Sequence, residues 1–202
     1  MGLYSIKPAF RQLLRGLLPW LKPVHPDVLT WAAVACSLGC GVLFSFASRN
    51  RWFFLLIPFL FFVRIALNAL DGLLAQETGK ARPFGEVLNE LTDRLSDAAI
   101  LLGLAYSPLA SAARVLPVLA VVLISSTVGI IGKAVGVGRQ YGGVLGKADR
   151  MLWLGLACIL AFFGLDYFER LLALFLVLGT VTVLQRVWRI HELLKGVGGG
   201  FR

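Results

Sequence analysis

Residues 52–97 read WFFLLIPFLFFVRIALNALDGLLAQETGKARPFGEVLNELTDRLSD, and the fold turns on this stretch. Residues 52–70 are an apolar run holding a single charge, Arg64. A bilayer-spanning helix needs ~20 mostly apolar residues, so the run reads as one, continuing to residue 76. Its polar side chains are not scattered. At about 100° per residue, Arg64, Asn68, Asp71 and Ala75 fall on one narrow stripe. A further helix from residue 85 carries Glu86, Asn89, Glu90, Asp93 and Asp97 on a second stripe. The short loop 77–84 joins the two helices antiparallel, so the stripes are placed to face each other across a shared cavity.

Ionisable groups inside spanning helices are costly and mark functional sites. Several oxygen ligands converging from two helices suit a hard divalent cation such as Mg²⁺ or Mn²⁺. Such ions hold and polarise phosphates. The competing reading is plain ion pairing. Glu90 and Arg94 form an i,i+4 pair, and Arg94 also reaches Asp97 at i+3. That reading leaves only Arg64 for both Asp71 and Asp93. Gly72, Ala75 and Gly85 keep part of the cavity wall small, which leaves room for a bulky ligand.

Working outward, the rest of the chain repeats the apolar theme. Apolar residues make up 58% of 202 positions, and the mean hydropathy is +0.80. Residues 28–47 carry no charge, and 151–185 are broken only by Asp166, Glu169 and Arg170. Splitting at such breaks predicts an all-α integral membrane protein with six transmembrane helices, at 27–48, 52–76, 85–106, 112–134, 147–165 and 168–189. This gives an amphipathic N-terminal segment 1–25, a six-helix membrane domain 26–191 and a tail 192–202. In residues 5–22, Ile6, Phe10, Leu13, Leu14, Leu17 and Leu21 recur at helical spacing opposite Lys7, Arg11, Arg15 and Lys22. That pattern predicts an interfacial helix lying in the headgroup plane, and nothing before it has the pattern of a cleaved signal peptide.

The net charge of +9 reads as topology and anionic-lipid attraction rather than nucleic-acid binding. Fourteen Lys and Arg fall in the N-terminal segment, the 77–84 loop, the 133–150 stretch and the C-terminal end, against four in the intervening loops. Both termini are therefore expected in the cytoplasm, with the chain multi-pass in the cell inner (cytoplasmic) membrane. Cys36, Cys40 and Cys158 are too few for a disulfide framework and read as packing residues.

The segment 68–93 also resembles a known signature. The CDP-alcohol phosphotransferases carry D-x2-D-G-x2-A-R-x8-G-x3-D-x3-D. This chain reads Asn68, Asp71, Gly72, Ala75, Gln76, Gly85, Asn89 and Asp93 at every one of those positions, with the eight-residue gap intact. Five of the eight match in identity: Asp71, Gly72, Ala75, Gly85 and Asp93. Asparagine stands at two aspartate positions and Gln76 at the arginine; the shape is kept while two negative charges are lost. The Pro26-Asp27-Val28-Leu29-Thr30 start of the first helix is also similar to the family.

The resemblance implies transfer of a substituted phosphate from a CDP-linked lipid such as CDP-diacylglycerol to an alcohol, with release of CMP. It implies Asp71, Asn68, Asn89 and Asp93 as the metal set for Mg²⁺ or Mn²⁺. Asp71, Gly72, Ala75, Gly85 and Thr30 would bind the donor, and Asp93 would take the acceptor's proton. Lys133, Arg150 and Arg189 are placed like the family's pocket for a phosphate-bearing acceptor such as glycerol phosphate or inositol phosphate; positive-inside decoration explains each of them equally well. Glu86 and Glu90 stand one helical step from the signature and offer replacement carboxylates. Lys80 or Arg82 offers a replacement cation. Family members commonly form homodimers. Two other readings stand beside this one: a catalytically silent scaffold that binds lipid or nucleotide, and a small transporter using Arg64, Asp71 and Asp93 as a relay. The transporter reading lacks inverted repeats and paired broken helices.

Overall fold

The computed structural model describes residues 7–197, and every regular element among them is helical. The chain begins with α1 (Lys7–Arg15) and the short α2 (Leu18–Leu21). Six longer helices follow: α3 (Pro26–Ser45), α4 (Phe53–Glu77), α5 (Pro83–Ala105), α6 (Ala112–Ala134), α7 (Lys147–Phe162) and α8 (Phe168–Val197). Four of them, α3, α4, α6 and α8, are long and apolar enough to cross a membrane. Helix α5 carries the acidic stripe, and α7 is only 16 residues long.

Local chemistry sets the boundaries. Pro26 and Pro83 occupy first-turn positions, where a missing N–H costs nothing, each behind an extended residue, His25 and Arg82. His25 also caps α3, its Nδ1 accepting from the Asp27 amide at 3.3 Å. Gly79 turns the chain between α4 and α5 at φ +65°, a conformation that only glycine adopts without strain. At the start of α7 the Asp149 carboxylate accepts the Gly146 amide at 2.9 Å. Most helix ends fall within three residues of the sequence reading, and two differences are larger. The N-terminal amphipathic stretch is not continuous; it breaks after Arg15, where Leu17 lacks a side-chain cap and Pro19 restarts the helix. The last helix runs on to Val197, past the predicted end at 189, because nothing between Arg189 and Lys195 breaks it.

The long helices pack in a closed order. Helix α3 lies against α4 and α5, α5 against α6, α6 against α8, α8 against α7, and α7 against α4. Helices α3 and α5 meet backbone to backbone. A Cβ on Gly103 would sit 2.3 Å from the Gly41 Cα, and one on Gly41 would sit 2.4 Å from the Ala99 carbonyl oxygen. Small residues permit such close crossing where packing rather than water exclusion drives association. Ser45 adds a hydrogen bond to the Gly103 carbonyl at 3.3 Å.

Burial is inverted relative to a water-soluble protein. Phe59, Phe62, Val177 and Leu184 lie about 60% exposed on the outside, whereas Arg64 is fully buried. The main core joins Cys40, Phe44, Ile57, Phe61, Leu104, Val118, Cys158 and Phe168 among others. A smaller cluster seats Leu14 and Leu18 of the N-terminal helices on Leu29, Leu70, Leu73 and Leu74. The α1–α2 unit is thereby docked beside the acidic helices.

Candidate active site

The signature residues lie on α4 and α5, which side chains bridge from Asn68 to Asp93 and from Arg64 to Asp97. Thr30, reaching in from α3, donates to Asp71 Oδ2 at 2.9 Å. The other Asp71 oxygen accepts the Gly72 amide at 2.5 Å. Asp71 is 5% exposed, so its two fixed donors replace much of the hydration it loses. One turn earlier on α4, the Asn68 amide donates to Asp93 Oδ1 of α5 at 3.2 Å. Lys147, opening α7, forms an ion pair with the same Asp93 oxygen. One further turn back along α5, Asn89 Oδ1 is buried with no hydrogen-bond partner among the described residues.

Next along the stripe lies a buried ionic triad. Asp97 receives Arg64 at 3.3 Å on one oxygen and Arg150 at 2.5 Å on the other. Arg64 also contacts Met151 Sδ at 3.3 Å. A hollow beside the triad is lined by Arg64, Asp97, Arg150, Phe61 and Phe175. At the other end of α5, Arg139 bridges Glu86 at 2.9 Å and Glu90 at 2.6 Å. Lys133 pairs with Glu86, and Arg94 with Glu90 at 3.0 Å.

The predicted residues are therefore sorted rather than simply gathered. Thr30, Asn68, Asp71, Gly72, Asn89 and Asp93 share one region. Ala75 is half-buried one turn beyond Asp71, and Gly85 opens the signature half of α5. Glu86 and Glu90, expected as replacement carboxylates, are instead taken up by Lys133, Arg139 and Arg94. Arg82 pairs with Asp27. Of the three acceptor candidates, Arg150 is buried on Asp97 and Lys133 is held by Glu86. Arg189 lies exposed on α8, its guanidinium against Gly142. The ion-pairing reading offered Asp97 both Arg64 and Arg94; it takes Arg64 of α4 and Arg150 of α7, because it points into the bundle.

Sequence reasoning placed Lys147 with the basic groups near the cavity mouth but missed its pairing with Asp93. It also missed Arg139 as the clasp over Glu86 and Glu90. Arg186, placed with Arg189 as a basic group ending the last helix, instead grips backbone: its three guanidinium nitrogens donate to the carbonyls of Gly142, Ser125 and Tyr141 at 2.6 to 3.1 Å. The signal for Lys147 was its place at the first position of a helix opposite the acidic stripe.

The oxygen set can be tested against a hard divalent ion. Asp71 and Asp93 supply carboxylates, and Asn68 and Asn89 supply amide oxygens, of which Asn89 Oδ1 is orphaned inside the protein. Among the described residues no three His, Cys, Asp or Glu side chains converge on one point, and Lys147 already sits on Asp93. The chemistry of the set suits a single hard ion, for which Asp71 and the two amides would be the main oxygen donors. Four carboxylates would make a more strongly negative site.

Comparison with known proteins identifies the fold and the family. The chain is 39% identical over 158 residues to the inner membrane protein YnbA of Escherichia coli (strain K12), covering 77% of this chain and 78% of that one. It is 30% identical over 176 residues to the phosphatidylinositol phosphate synthase of Mycolicibacterium smegmatis, covering 82% and 77%. The phosphatidylinositol phosphate synthase PgsA1 of Mycobacterium tuberculosis has the same fold. Its complex with manganese and citrate superposes with a TM-score of 0.71 at 23% identity, over 90% of this chain and 88% of that one. Its structure with CDP-DAG bound gives 0.67 at 24%, over 91% and 92%. The family model for CDP-alcohol phosphatidyltransferases matches residues 23–188, which include every signature position from Asn68 to Asp93. The chain belongs to the CDP-alcohol phosphatidyltransferase family.

Proposed function

We propose that this protein transfers a phosphatidyl-type group from a CDP-linked lipid donor such as CDP-diacylglycerol to an alcohol, releasing CMP, in phospholipid biosynthesis. The observation that carries the reading is the placement of Asp71 and Asp93 on facing helices, each held by a neighbour of the same polar strip: Thr30 for Asp71 and Asn68 for Asp93. Thr30, Asp71, Gly72, Ala75 and Gly85 form the donor side, the small residues leaving space for the nucleotide. Mg²⁺ or Mn²⁺ would be held by Asp71, Asn68, Asn89 and Asp93. When bound, that ion neutralises the diphosphate and polarises its P–O bonds. Phosphoryl transfer asks the protein chiefly for positioning and charge neutralisation.

Asp93 removes the proton from the acceptor hydroxyl as its oxygen attacks the lipid-bearing phosphorus. The bond from that phosphorus to the CMP oxygen breaks, and CMP departs with the electron pair. Lys147 orients the Asp93 carboxylate and balances its charge. The acceptor is a phosphate-bearing alcohol of the inositol phosphate class. The basic groups Lys133, Arg150 and Arg189 serve it, directly or through their present partners. The names of the mycobacterial relatives support this choice of acceptor.

In this reading all six long helices span the cytoplasmic membrane. α5 and α7 cross with their polar sides turned inward, and α1–α2 lies in the headgroup plane with Leu13, Leu17 and Trp20 toward lipid. Both termini are cytoplasmic, and the protein pairs as a homodimer. A second reading, a silent family member that binds lipid or nucleotide as a scaffold, is favoured by the Lys147–Asp93 ion pair, which occupies the base. Purified protein supplied with CDP-diacylglycerol, Mg²⁺ or Mn²⁺ and a panel of alcohols separates the two. The proposal expects CMP release dependent on acceptor and metal; donor binding without CMP release from any acceptor would establish the scaffold.

A further inference from the structure

A cation outside the signature faces the donor side from a separate element. Arg11 lies on α1, and its Nη2 would be the sole neighbour, at 3.8 Å, of a Cβ built on Gly72. The guanidinium therefore rests against the bare face of the glycine that follows Asp71. Its Nε is buried with no hydrogen-bond partner among the described residues. A buried charged donor left unpaired is costly, and a planar guanidinium aimed at a glycine surface is suited to phosphate oxygens. The α4 strip supplies no cation of its own there: position 76 is Gln76, and its side chain is exposed.

We infer that Arg11 is a substrate-binding residue that clamps the diphosphate of the CDP-linked donor from the N-terminal helix. This rests on reading Asp71 to Ala75 as the donor side. The docking of Leu14 and Leu18 on Leu29, Leu70 and Leu74 holds α1 where Arg11 can reach. The same element that meets the headgroup layer thus contributes a donor contact, so capture of a lipid-borne nucleotide and seating of α1 are one event.

The test measures binding of soluble CDP with Mg²⁺ to the full chain in phosphatidylcholine nanodiscs, by calorimetry. Arg11→Gln should weaken CDP binding by about ten- to hundredfold, the range for losing a hydrogen bond to a charged group. Arg11→Lys should fall between, and Arg11→Gln combined with Gln76→Arg should regain much of the loss. An Arg11→Gln protein that binds CDP within twofold of wild type overturns the inference. So does one that keeps CDP affinity but loses only its retention of phosphatidylglycerol, which would make Arg11 a contact for bulk lipid. Wild-type protein that fails to bind CDP removes both the inference and the donor reading. Wild type that binds CDP through Arg11 yet releases no CMP from CDP-diacylglycerol upholds the inference and removes only the catalytic proposal.

Discussion

Substituting Gly103 with alanine is expected to destabilise the fold more than almost any other single methyl group added to it. The new Cβ would lie 2.2 Å from the Gly41 carbonyl oxygen and 2.3 Å from its Cα. Carbon atoms prefer roughly 3.5–4.0 Å, and neither clashing atom is a side chain that can rotate away. Helices α3 and α5 must separate by on the order of 1 Å, which stretches the 3.3 Å bond from Ser45 to Gly103. Overpacking costs ~1–3 kcal/mol and the lost hydrogen bond ~1, for a total of roughly 2–4 kcal/mol. In a chain of this size that lowers the melting temperature by roughly 5–15 °C. Gly39→Ala is the control. It adds the same methyl to α3, but its nearest neighbour is Leu60 Cδ1 at an ordinary 3.7 Å, so the gain in helix propensity of about 1 kcal/mol should leave it neutral or stabilised. Thermal unfolding in one detergent, followed by size-exclusion retention of the surviving protein, compares the three. Equal melting temperatures for Gly103→Ala and Gly39→Ala would refute the close crossing of the two helices.

Asp97→Asn removes the carboxylate from both Arg64 and Arg150, and leaving buried charge unpaired should cost ~3–5 kcal/mol; Arg64→Met in the same chain should recover part of the loss in thermal unfolding. Asp71→Asn and Asp93→Asn should each abolish CMP release while the protein stays monodisperse; full turnover by Asp93→Asn would remove it as the base. Asn68→Asp together with Asn89→Asp adds two negative charges around Asn89 Oδ1 and should raise Mn²⁺ affinity by about tenfold or more, read by paramagnetic resonance of free Mn²⁺. Lys147→Met frees Asp93 and should also tighten Mn²⁺; an unchanged affinity would show that Asp93 is not a metal ligand.

The helices were legible because their signals are local. A run such as 112–134 declares its length by composition, and the predicted and observed ends of that helix coincide. The two stripes of α4 and α5 were legible for the same reason, since a fixed angular step per residue places Asn68 beside Asp71 and Asn89 beside Asp93. What crosses between distant helices was not. Asp93 finds Lys147 across 54 positions, and Asp97 finds Arg150 across 53. The i,i+3 rule offered Arg94 to Asp97, but it assumes both side chains lie on an exposed helix surface, and Asp97 faces the interior. Arg11 escaped notice because amphipathic patterning assigns every cation on such a helix to the headgroup side, whereas Arg11 turns toward Gly72.

Arg186 ties α8 to the connection between α6 and α7 through the Tyr141 and Gly142 carbonyls, and to α6 through that of Ser125. Immobilising backbone costs roughly 1–2 kcal/mol per residue, and here that loss is incurred once, during folding. A guest arriving at this rim would meet a template already cast, and its affinity would not be diluted by setting the loop. Discrimination among guests then rests on stereochemical match with a few side chains. Exchanging those few would retune preference while leaving the helical frame untouched.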